Sequence, residues 1–350
     1  MIGAIVSRYA SIVASLYANH VTGSYRDTTG ARAQDGPRPN RNSLRYLPPP
    51  GLAGWSALPE RDRRLLEWLL VGEYLTAELA SVLAYPSLRV AQRRLARLGS
   101  YGLLSGMWVA NSQRARGRYA YRLTDACRAG LEGLVWGERR LRRFPLGDAS
   151  STVHHLAVHD LMQVLLAAAQ RDLGLIAWLP QRVAAAVFDG YLRPDAIAAI
   201  RVRERSVLLF VEQDSGSERP PVLLAKLRRY RAVLGSRPEV EPAHILFVVP
   251  SARRLRSVRE AFASAANAGA PAAWLALEAD LRRDPWSAAL RPPVGAEQRL
   301  VELASHPSLE LFEPSGRHCL LQPDQAEAID ERGLSRLPML DHFRRRSGMP

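Results

Sequence analysis

The chain has 350 residues, of which 48 are Lys or Arg and 34 are Asp or Glu, so its formal net charge is +14. A surface this basic attracts polyanions, with nucleic acid as the first candidate and an anionic membrane as the second. The two distant cysteines, Cys127 and Cys319, give no basis for a disulfide framework or a CxxC zinc site, and no apolar run is long enough to span a membrane. We therefore expect a cytoplasmic protein of two or three domains with no membrane partner.

The two ends of the chain are predicted to lie outside the folded domains. Residues 1–55 contain a mildly apolar start and then much Gly, Pro, Asn, Thr and Arg, which predicts a disordered basic arm. Residues 294–350 form a C-terminal extension to which we assign no role, although residues 296–305 have a weak helical pattern and Arg344–Arg346 form a basic tail.

Three short helices with tight turns are predicted at the start of the first domain, residues 56–145. The first helix begins after Pro59, and Thr76 and Ser87 are the expected N-cap residues of the second and third. This is the helix-turn-helix pattern, and the spacing of the third helix turns four polar side chains outward. They are Arg89, Gln92, Arg93 and Arg97.

A β-hairpin is predicted after these helices, with strands over residues 103–110 and 119–123. Helices and hairpin together predict an N-terminal all-α/winged-helix domain that binds double-stranded DNA, mainly at its phosphates. The alternatives are a solvated charged face, which the lack of acidic residues from Ser87 to Tyr121 disfavours, and a winged helix that contacts proteins. The tip of the hairpin carries Arg114, Arg116 and Arg118.

A long helix over residues 153–173 is predicted near the start of the second domain, residues 150–293. His155 and His159 are four residues apart on this helix and can share a zinc ion, but no third ligand is spaced nearby. Packing against the sheet is the favoured alternative, with Asp160 and Gln163 as weaker candidates for a site there.

The second domain is predicted to be an α/β layer with a mixed sheet. Its last predicted helix is studded with arginines that we expect to face solvent or DNA: Arg253, Arg254, Arg256 and Arg259. The predicted strands cover residues 175–179, 183–188, 206–211, 244–249 and 273–277, and the predicted helices that follow the third and fourth strands cover residues 221–234 and 252–268.

Three acidic residues gather at one end of this predicted sheet. Residues 201–205 are predicted to form a turn between the strand over residues 206–211 and a further strand before the turn, so Asp195 and Glu212 fall on neighbouring strands. Asp214 points to the same side as Glu212 because side chains alternate along a strand. Three converging carboxylates repel one another, and a divalent cation such as Mg2+ or Mn2+ would neutralise them. The alternative is a solvated hairpin end whose acids pair with some of the many arginines.

Lys226 is the only lysine among the 48 basic residues. A lysine ammonium can lower its pKa on burial and lie against a water or a phosphate, whereas guanidinium cannot. Lys226 and Tyr230 are four residues apart in a predicted helix, so both can face the acidic strand end. The alternative is that this lysine has been retained by chance in an arginine-rich chain and has no special role.

The motifs around these residues resemble the replication-relaxation family of plasmid and integrative-element proteins, in which a winged helix precedes a PD-(D/E)xK nuclease-like domain. The resemblance covers about residues 58–293. Asp214 departs from the nuclease pattern, which has lysine two residues after the acid, but Lys226 on the following helix can supply the missing ammonium. The motifs are Arg193-Pro-Asp-Ala, Glu212-x-Asp214-x-Gly216-x-Glu218 and Lys226-Leu-x-x-Tyr230.

The resemblance implies a DNA-binding protein of a mobile element that acts in plasmid replication, mobilisation or transfer. In an active nuclease-like domain, Asp195, Glu212 and Asp214 would hold Mg2+ or Mn2+. Lys226 would orient the attacking water or neutralise the phosphate, and Arg193 would hold a backbone phosphate. The alternatives are a non-catalytic accessory factor and a winged-helix transcriptional regulator. Other replication or transfer proteins and a second copy of the chain are the further expected partners.

Overall fold

The structure, a computed structural model, describes residues 58–110, 117–136, 149–170, 173–188, 191–203, 205–235, 242–264 and 272–303. The predicted basic arm, the wing-tip residues Arg114 and Arg116, and most of the C-terminal extension lie outside these ranges. None of the helices within them combines the length and the apolar character that crossing a bilayer requires.

The first half of the described chain is a helical unit with a small antiparallel sheet. Thr76 and Ser87 cap α2 and α3 as predicted, since their hydroxyls accept the backbone N–H groups of Leu79 (3.2 Å) and Val90 (3.3 Å). The strands pair in the order β1-β3-β2. The elements are α1 (Glu60–Gly72), β1 (Leu75–Thr76), α2 (Ala77–Leu83), α3 (Leu88–Ser100), β2 (Leu104–Val109), β3 (Arg118–Leu123) and α4 (Asp125–Trp136).

The second half is built on a five-stranded sheet of order β4-β5-β6-β7-β8. Its first three strands pair antiparallel, while β6, β7 and β8 run parallel and are connected through α7 and α8. The predicted mixed α/β architecture is therefore confirmed. The elements are α5 (Ala149–Ala167), β4 (Leu173–Pro180), α6 (Gln181–Val187), β5 (Ala196–Val202), β6 (Arg205–Gln213), α7 (Pro220–Leu234), β7 (Ala243–Val249), α8 (Ala252–Ala263), β8 (Ala272–Leu277), α9 (Glu278–Arg283), β9 (Ala289–Leu290) and β10 (Gln298–Arg299).

Three predicted elements are wrong in type or extent. Residues 183–188 were predicted as a strand, but α6 occupies this stretch, because a short buried apolar run is compatible with either structure and its consecutive alanines favour helix. The helix predicted over residues 153–173 ends at Ala167, and Leu173 already belongs to β4. The described part of the helix predicted over residues 296–305, which ends at residue 303, is not α-helical, since β10 is followed by a single 3-10 turn, Leu300–Glu302.

One continuous apolar core joins the two halves of the described chain. At the C-terminal end of α1, the Leu70 carbonyl accepts hydrogen bonds from Arg128 of α4 (3.3 Å) and Arg182 of α6 (3.2 Å). Both arginines are buried. Since the last carbonyls of a helix have no partner within the helix, these two donors satisfy Leu70 and connect α1 to both halves.

Candidate functional site

Asp195 and Glu212 meet at one end of the large sheet, as the sequence predicts. Asp195 directly precedes β5, and its backbone N–H donates to the Val211 carbonyl of β6 (3.0 Å), so its side chain lies beside that of Glu212. Its carboxylate Oδ2 accepts the Gln213 N–H at 2.8 Å. The exposed fractions are only 4% for Asp195 and 2% for Glu212, so two carboxylates are buried side by side.

Helix α7 provides the main partners of Glu212. Lys226 Nζ lies 2.8 Å from Glu212 Oε2, and the Tyr230 hydroxyl donates to Oε1 at 2.6 Å. Lys226 is also 3.6 Å from Glu218. Because Lys226 and Tyr230 are one helical turn apart, both reach the same carboxylate, which confirms the prediction that they face the acidic strand end.

His154 of α5 completes the cluster, and sequence reasoning missed this role. Its Nε2 lies 2.9 Å from Asp195 Oδ1, which also accepts a hydrogen bond from Gln181 Nε2 at 3.2 Å. The residues of α5 that the sequence singled out were a metal-binding histidine pair and a second acid. Apolar residues occur on all sides of α5, so periodicity carried no signal of which histidine faces the sheet.

Burial and mutual charge shift the pKa values of this cluster in different directions. Burial, reinforced by the Asp195 charge, raises the pKa of Glu212 to about 7. Burial also acts to raise the pKa of Asp195, but the hydrogen bond and charge of His154 outweigh it, so that pKa is lowered. Burial opposes the charged forms of His154 and Lys226, yet the neighbouring carboxylates raise both pKa values.

Asp214 is drawn away from this cluster. Both of its carboxylate oxygens accept hydrogen bonds from Arg254 of α8, and Oδ1 also accepts the Gly216 N–H at 2.8 Å. Arg254 was predicted to face solvent or DNA, and its guanidinium is instead fastened to Asp214 and to the Glu218 carbonyl. Asp214 therefore follows the alternative given for the acidic strand end, in which the acids pair with arginines. Asp195 and Glu212 do not follow that alternative.

Two of the three predicted metal ligands, Asp195 and Glu212, lie side by side, although the oxygens of both already have hydrogen-bond or ion-pair partners. Mg2+ in proteins is held by one or two carboxylates together with waters and substrate phosphates. Asp195 and Glu212 supply that pair, and the buried Oε2 of Glu212 has an ammonium beside it but no aligned hydrogen bond. The oxygens of Asp214 are occupied by Arg254. No group of three or more His, Cys, Asp or Glu side chains in the described ranges has an arrangement that could hold a metal.

The other candidates on α5 have structural partners. Asp160 joins Arg118 (2.5 Å) and Arg282 (2.9 Å), so it is not part of the cluster. His159 packs edge-on against Trp68, with ring centroids 4.9 Å apart, and burial lowers its pKa to about 3. His155 lies between Gln181 Oε1 (3.2 Å) and Glu73 (3.4 Å).

A cleft of about 140 Å³ leads from the surface to Asp195. It lies between the end of α1, α5 and α6, and its polar lining includes Glu73, His155 and Gln181. Arg193 is exposed and also lines the cleft, which places a guanidinium beside the path to the acidic cluster.

Helix α3 presents the predicted polar residues to solvent. Its apolar side, with Ala91, Leu95 and Leu98, is buried, while Arg94 turns inward to pair with Asp62. Of the three wing-tip arginines, Arg118 is described, and its charge is paired with Asp160. The four side chains predicted to point outward are all exposed: Arg89, Gln92, Arg93 and Arg97.

Comparison with known proteins yields one match. A family model described as replication-relaxation matches residues 66–249, which is more than half of the chain. The matched stretch extends from α1 to the end of β7 and contains both α3 and the Asp195–Glu212–Lys226 cluster. No curated protein and no solved structure matches the chain.

Proposed function

The chain belongs to the replication-relaxation family, and on that premise we propose that it is a DNA-binding protein of a mobile element, acting in plasmid replication, mobilisation or transfer. The observation that carries the proposal is the exposed face of α3. In this proposal, α1 to α3 and the β2–β3 hairpin form a winged helix, and α3 is the element laid against double-stranded DNA.

The charge around α3 supports a nucleic-acid partner. Arg89, Arg93 and Arg97 are exposed on a helix that packs against β2, and no acidic residue occurs from Ser87 to Tyr121. Arginine forms bidentate contacts with phosphates, and Gln92 on the same face can reach a base edge. Binding by these side chains would release counterions and weaken as salt increases.

A mobility-shift titration on duplex DNA at several salt concentrations tests this function. The double variant Arg93→Ala/Arg97→Ala should bind more weakly and reduce the slope of log affinity against log salt by about 2, since each phosphate contact contributes about 1. The matched control is Arg201→Ala/Arg205→Ala, two exposed arginines at the far end of β5 and β6. Equal losses in both double variants, or no binding by the wild type, would refute the assignment to α3.

Metal-dependent DNA nicking is a second candidate function, favoured by the convergence of Asp195, Glu212 and Lys226. The second half would then be a PD-(D/E)xK-like domain in which Asp195 and Glu212 hold Mg2+ or Mn2+. The bound metal would supply an acidified water and neutralise charge on the phosphate. Lys226 would orient that water from α7, and Arg193 would bind a backbone phosphate at the mouth of the cleft.

The pairing of Asp214 with Arg254 favours the alternative, a non-catalytic accessory factor or regulator. In that alternative, Lys226 is the permanent counterion of Glu212, and the second half serves to hold DNA, another replication or transfer protein, or a second copy of the chain. Both candidate functions, the nuclease and the accessory factor, include DNA binding by α3. They differ in whether the buried carboxylates take part in cleavage of a phosphodiester bond.

Nicking of supercoiled plasmid in Mg2+ or Mn2+ separates these candidates. Cleavage by the wild type that is lost in Asp195→Ala and in Lys226→Ala, while circular dichroism shows both variants folded, but kept in Arg201→Ala, would establish a nuclease built on the cluster. A folded wild type that shifts DNA without nicking it would favour the accessory role. Nicking that persists in both cluster variants would point to a contaminating enzyme.

A further inference from the structure

The outer face of the β2–β3 hairpin carries a row of aromatic side chains that no part of the proposed function uses. Trp108 and Tyr119 are directly opposite each other in the strand register, and Tyr121 contacts Tyr119 edge-to-face with centroids 5.1 Å apart. Trp108 is 65% exposed and Tyr119 is 47% exposed. Two large aromatic rings exposed on neighbouring strands form an apolar patch, and exposed apolar patches mark binding sites.

Two glycines allow these rings to lie flat on the hairpin. A Cβ atom at Gly117 would be 2.6, 2.7 and 2.9 Å from three bonded atoms of the Trp108 indole, so the face of the ring covers that glycine. The Tyr119 ring occupies the corresponding space over Gly106 in the same way. Any larger residue at Gly106 or Gly117 would push a ring off the backbone. The pattern thus holds one face of each ring against the sheet and turns the other outward.

The opposite face of the hairpin is already buried. Val109 and Ala120 pack with Tyr74 and Leu156 in a separate apolar cluster, and Arg118 of the same face pairs with Asp160. Near its tip the hairpin is anchored through this inner face, and at its base Leu104, Tyr121 and Leu123 pack in or against the main core. The rings of Trp108 and Tyr119 are therefore not needed to attach the hairpin, and they form its exposed aromatic surface.

We propose that Trp108 and Tyr119 form a stacking platform for the unpaired bases of single-stranded DNA. Every base has a π-face, so an exposed flat ring in a basic surround binds single strands with little sequence preference. The flanking chain supplies positive charge, since α3 packs against β2 and no acidic residue occurs from Ser87 to Tyr121. Glu78 of α2 adds a negative charge near Tyr121, at the end of the row away from Trp108. The inference rests on the proposed DNA binding and adds a second binding mode to it. Helix α3 binds duplex DNA, and the hairpin binds unpaired bases of single-stranded DNA.

Fluorescence anisotropy with labelled oligo(dT) and with a labelled duplex tests the platform on the full chain. Trp108→Ala and Tyr119→Ala should each weaken oligo(dT) binding roughly tenfold, within a range of about 5-fold to 100-fold, and change duplex affinity by less than about twofold. Trp108→Phe keeps a ring at the position and should retain most of the affinity. It should also lose part of the tryptophan fluorescence quenching that oligo(dT) causes in the wild type.

The possible outcomes separate this inference from the proposed function. Duplex binding that is intact in the wild type, with no loss of oligo(dT) binding in Trp108→Ala, would overturn the platform and leave α3 binding standing. Absence of both duplex and oligo(dT) binding would overturn both. Sedimentation in which Trp108→Ala converts a wild-type dimer to a monomer, with oligo(dT) affinity unchanged, would assign the face to self-association and refute the inference.

Discussion

Helix α3 and the Asp195–Glu212 cluster place their charges in opposite environments. The polar side chains of α3 lie in water, where keeping them charged costs little and their contribution to folding is small. The carboxylates of the cluster are buried, so each depends on an identified donor or cation. Substitutions on the exposed side of α3 should therefore alter binding without altering stability, whereas substitutions in the cluster should alter stability first.

Lys226→Ala should produce the largest stability effect. It removes the ammonium 2.8 Å from Glu212 and leaves two buried carboxylates side by side, which we expect to lower the free energy of unfolding by about 3 kcal/mol at pH 8. Urea titration measures this loss. Lys226→Arg keeps the charge and should recover part of it. A Lys226→Ala variant as stable as the wild type at pH 8 would show that the ion pair contributes nothing to the fold.

The pKa of about 7 for Glu212 predicts that stability falls as pH rises. This pKa lies above the usual value of 4.5, so between those pH values the folded state retains a proton that the unfolded state has released. Stability should drop by up to about 3 kcal/mol from pH 4.5 to 7, and the raised pKa of His154 acts in the same direction.

Glu212→Gln tests that pH dependence, because glutamine keeps the shape and the acceptor for Tyr230 without titrating. Its unfolding free energy should vary less across this range than that of the wild type. The lowered pKa of Asp195 has the opposite sign and acts only at more acidic pH, where stability is lost as that carboxyl is protonated. Parallel pH profiles for the wild type and Glu212→Gln would contradict the assignment to Glu212.

Tyr230→Phe should have an intermediate effect. The variant removes the only donor to Glu212 Oε1 that the described residues show and should lower the unfolding free energy by about 1–3 kcal/mol. Tyr191→Phe is the matched control, since Tyr191 is 75% exposed and loses only a solvated hydroxyl. Thermal melts of both variants measure the difference, and equal melting temperatures would argue against the Tyr230 hydrogen bond.

Arg93→Ala should have the smallest effect on stability, within about 0.5 kcal/mol, because its side chain is exposed on α3. Its neighbour Arg94 gives the sharpest contrast, because Arg94→Ala leaves the fully buried Asp62 without its cation. We expect that loss to be at least about 2 kcal/mol. Urea midpoints that rank Arg93→Ala below Arg94→Ala would contradict the separation of exposed and buried charge.

Local sequence patterns predicted much of the fold and part of the site. Caps at Thr76 and Ser87 and the outward side of α3 follow from contacts within about one helical turn, and so does the reach of Lys226 and Tyr230 toward one carboxylate. The stretch over residues 183–188 could not be predicted, because a short apolar run is compatible with a buried strand or a buried helix.

The partners of individual charges depend on contacts between distant residues. Asp214 has the same strand alternation as Glu212, yet Arg254, 40 residues later, occupies its oxygens. His154 reaches Asp195 only because α5 packs its histidine side over the end of the sheet. Neither contact leaves a periodic signal in the sequence.

The sequence by itself determined the family, the basic surroundings of α3, the order of most helices and strands, and the convergence of Asp195 with Glu212. These properties depend on composition and on spacing between near neighbours. The tertiary structure alone decided which charges are neutralised and which are exposed. Arg118 and Arg254 are paired with carboxylates, whereas Arg93 and Arg97 face solvent. The tertiary structure also decided that the indole ring of Trp108 is exposed and packs over Gly117. The physical reason is that burial and ion pairing are settled by packing between distant segments, which local patterns do not encode.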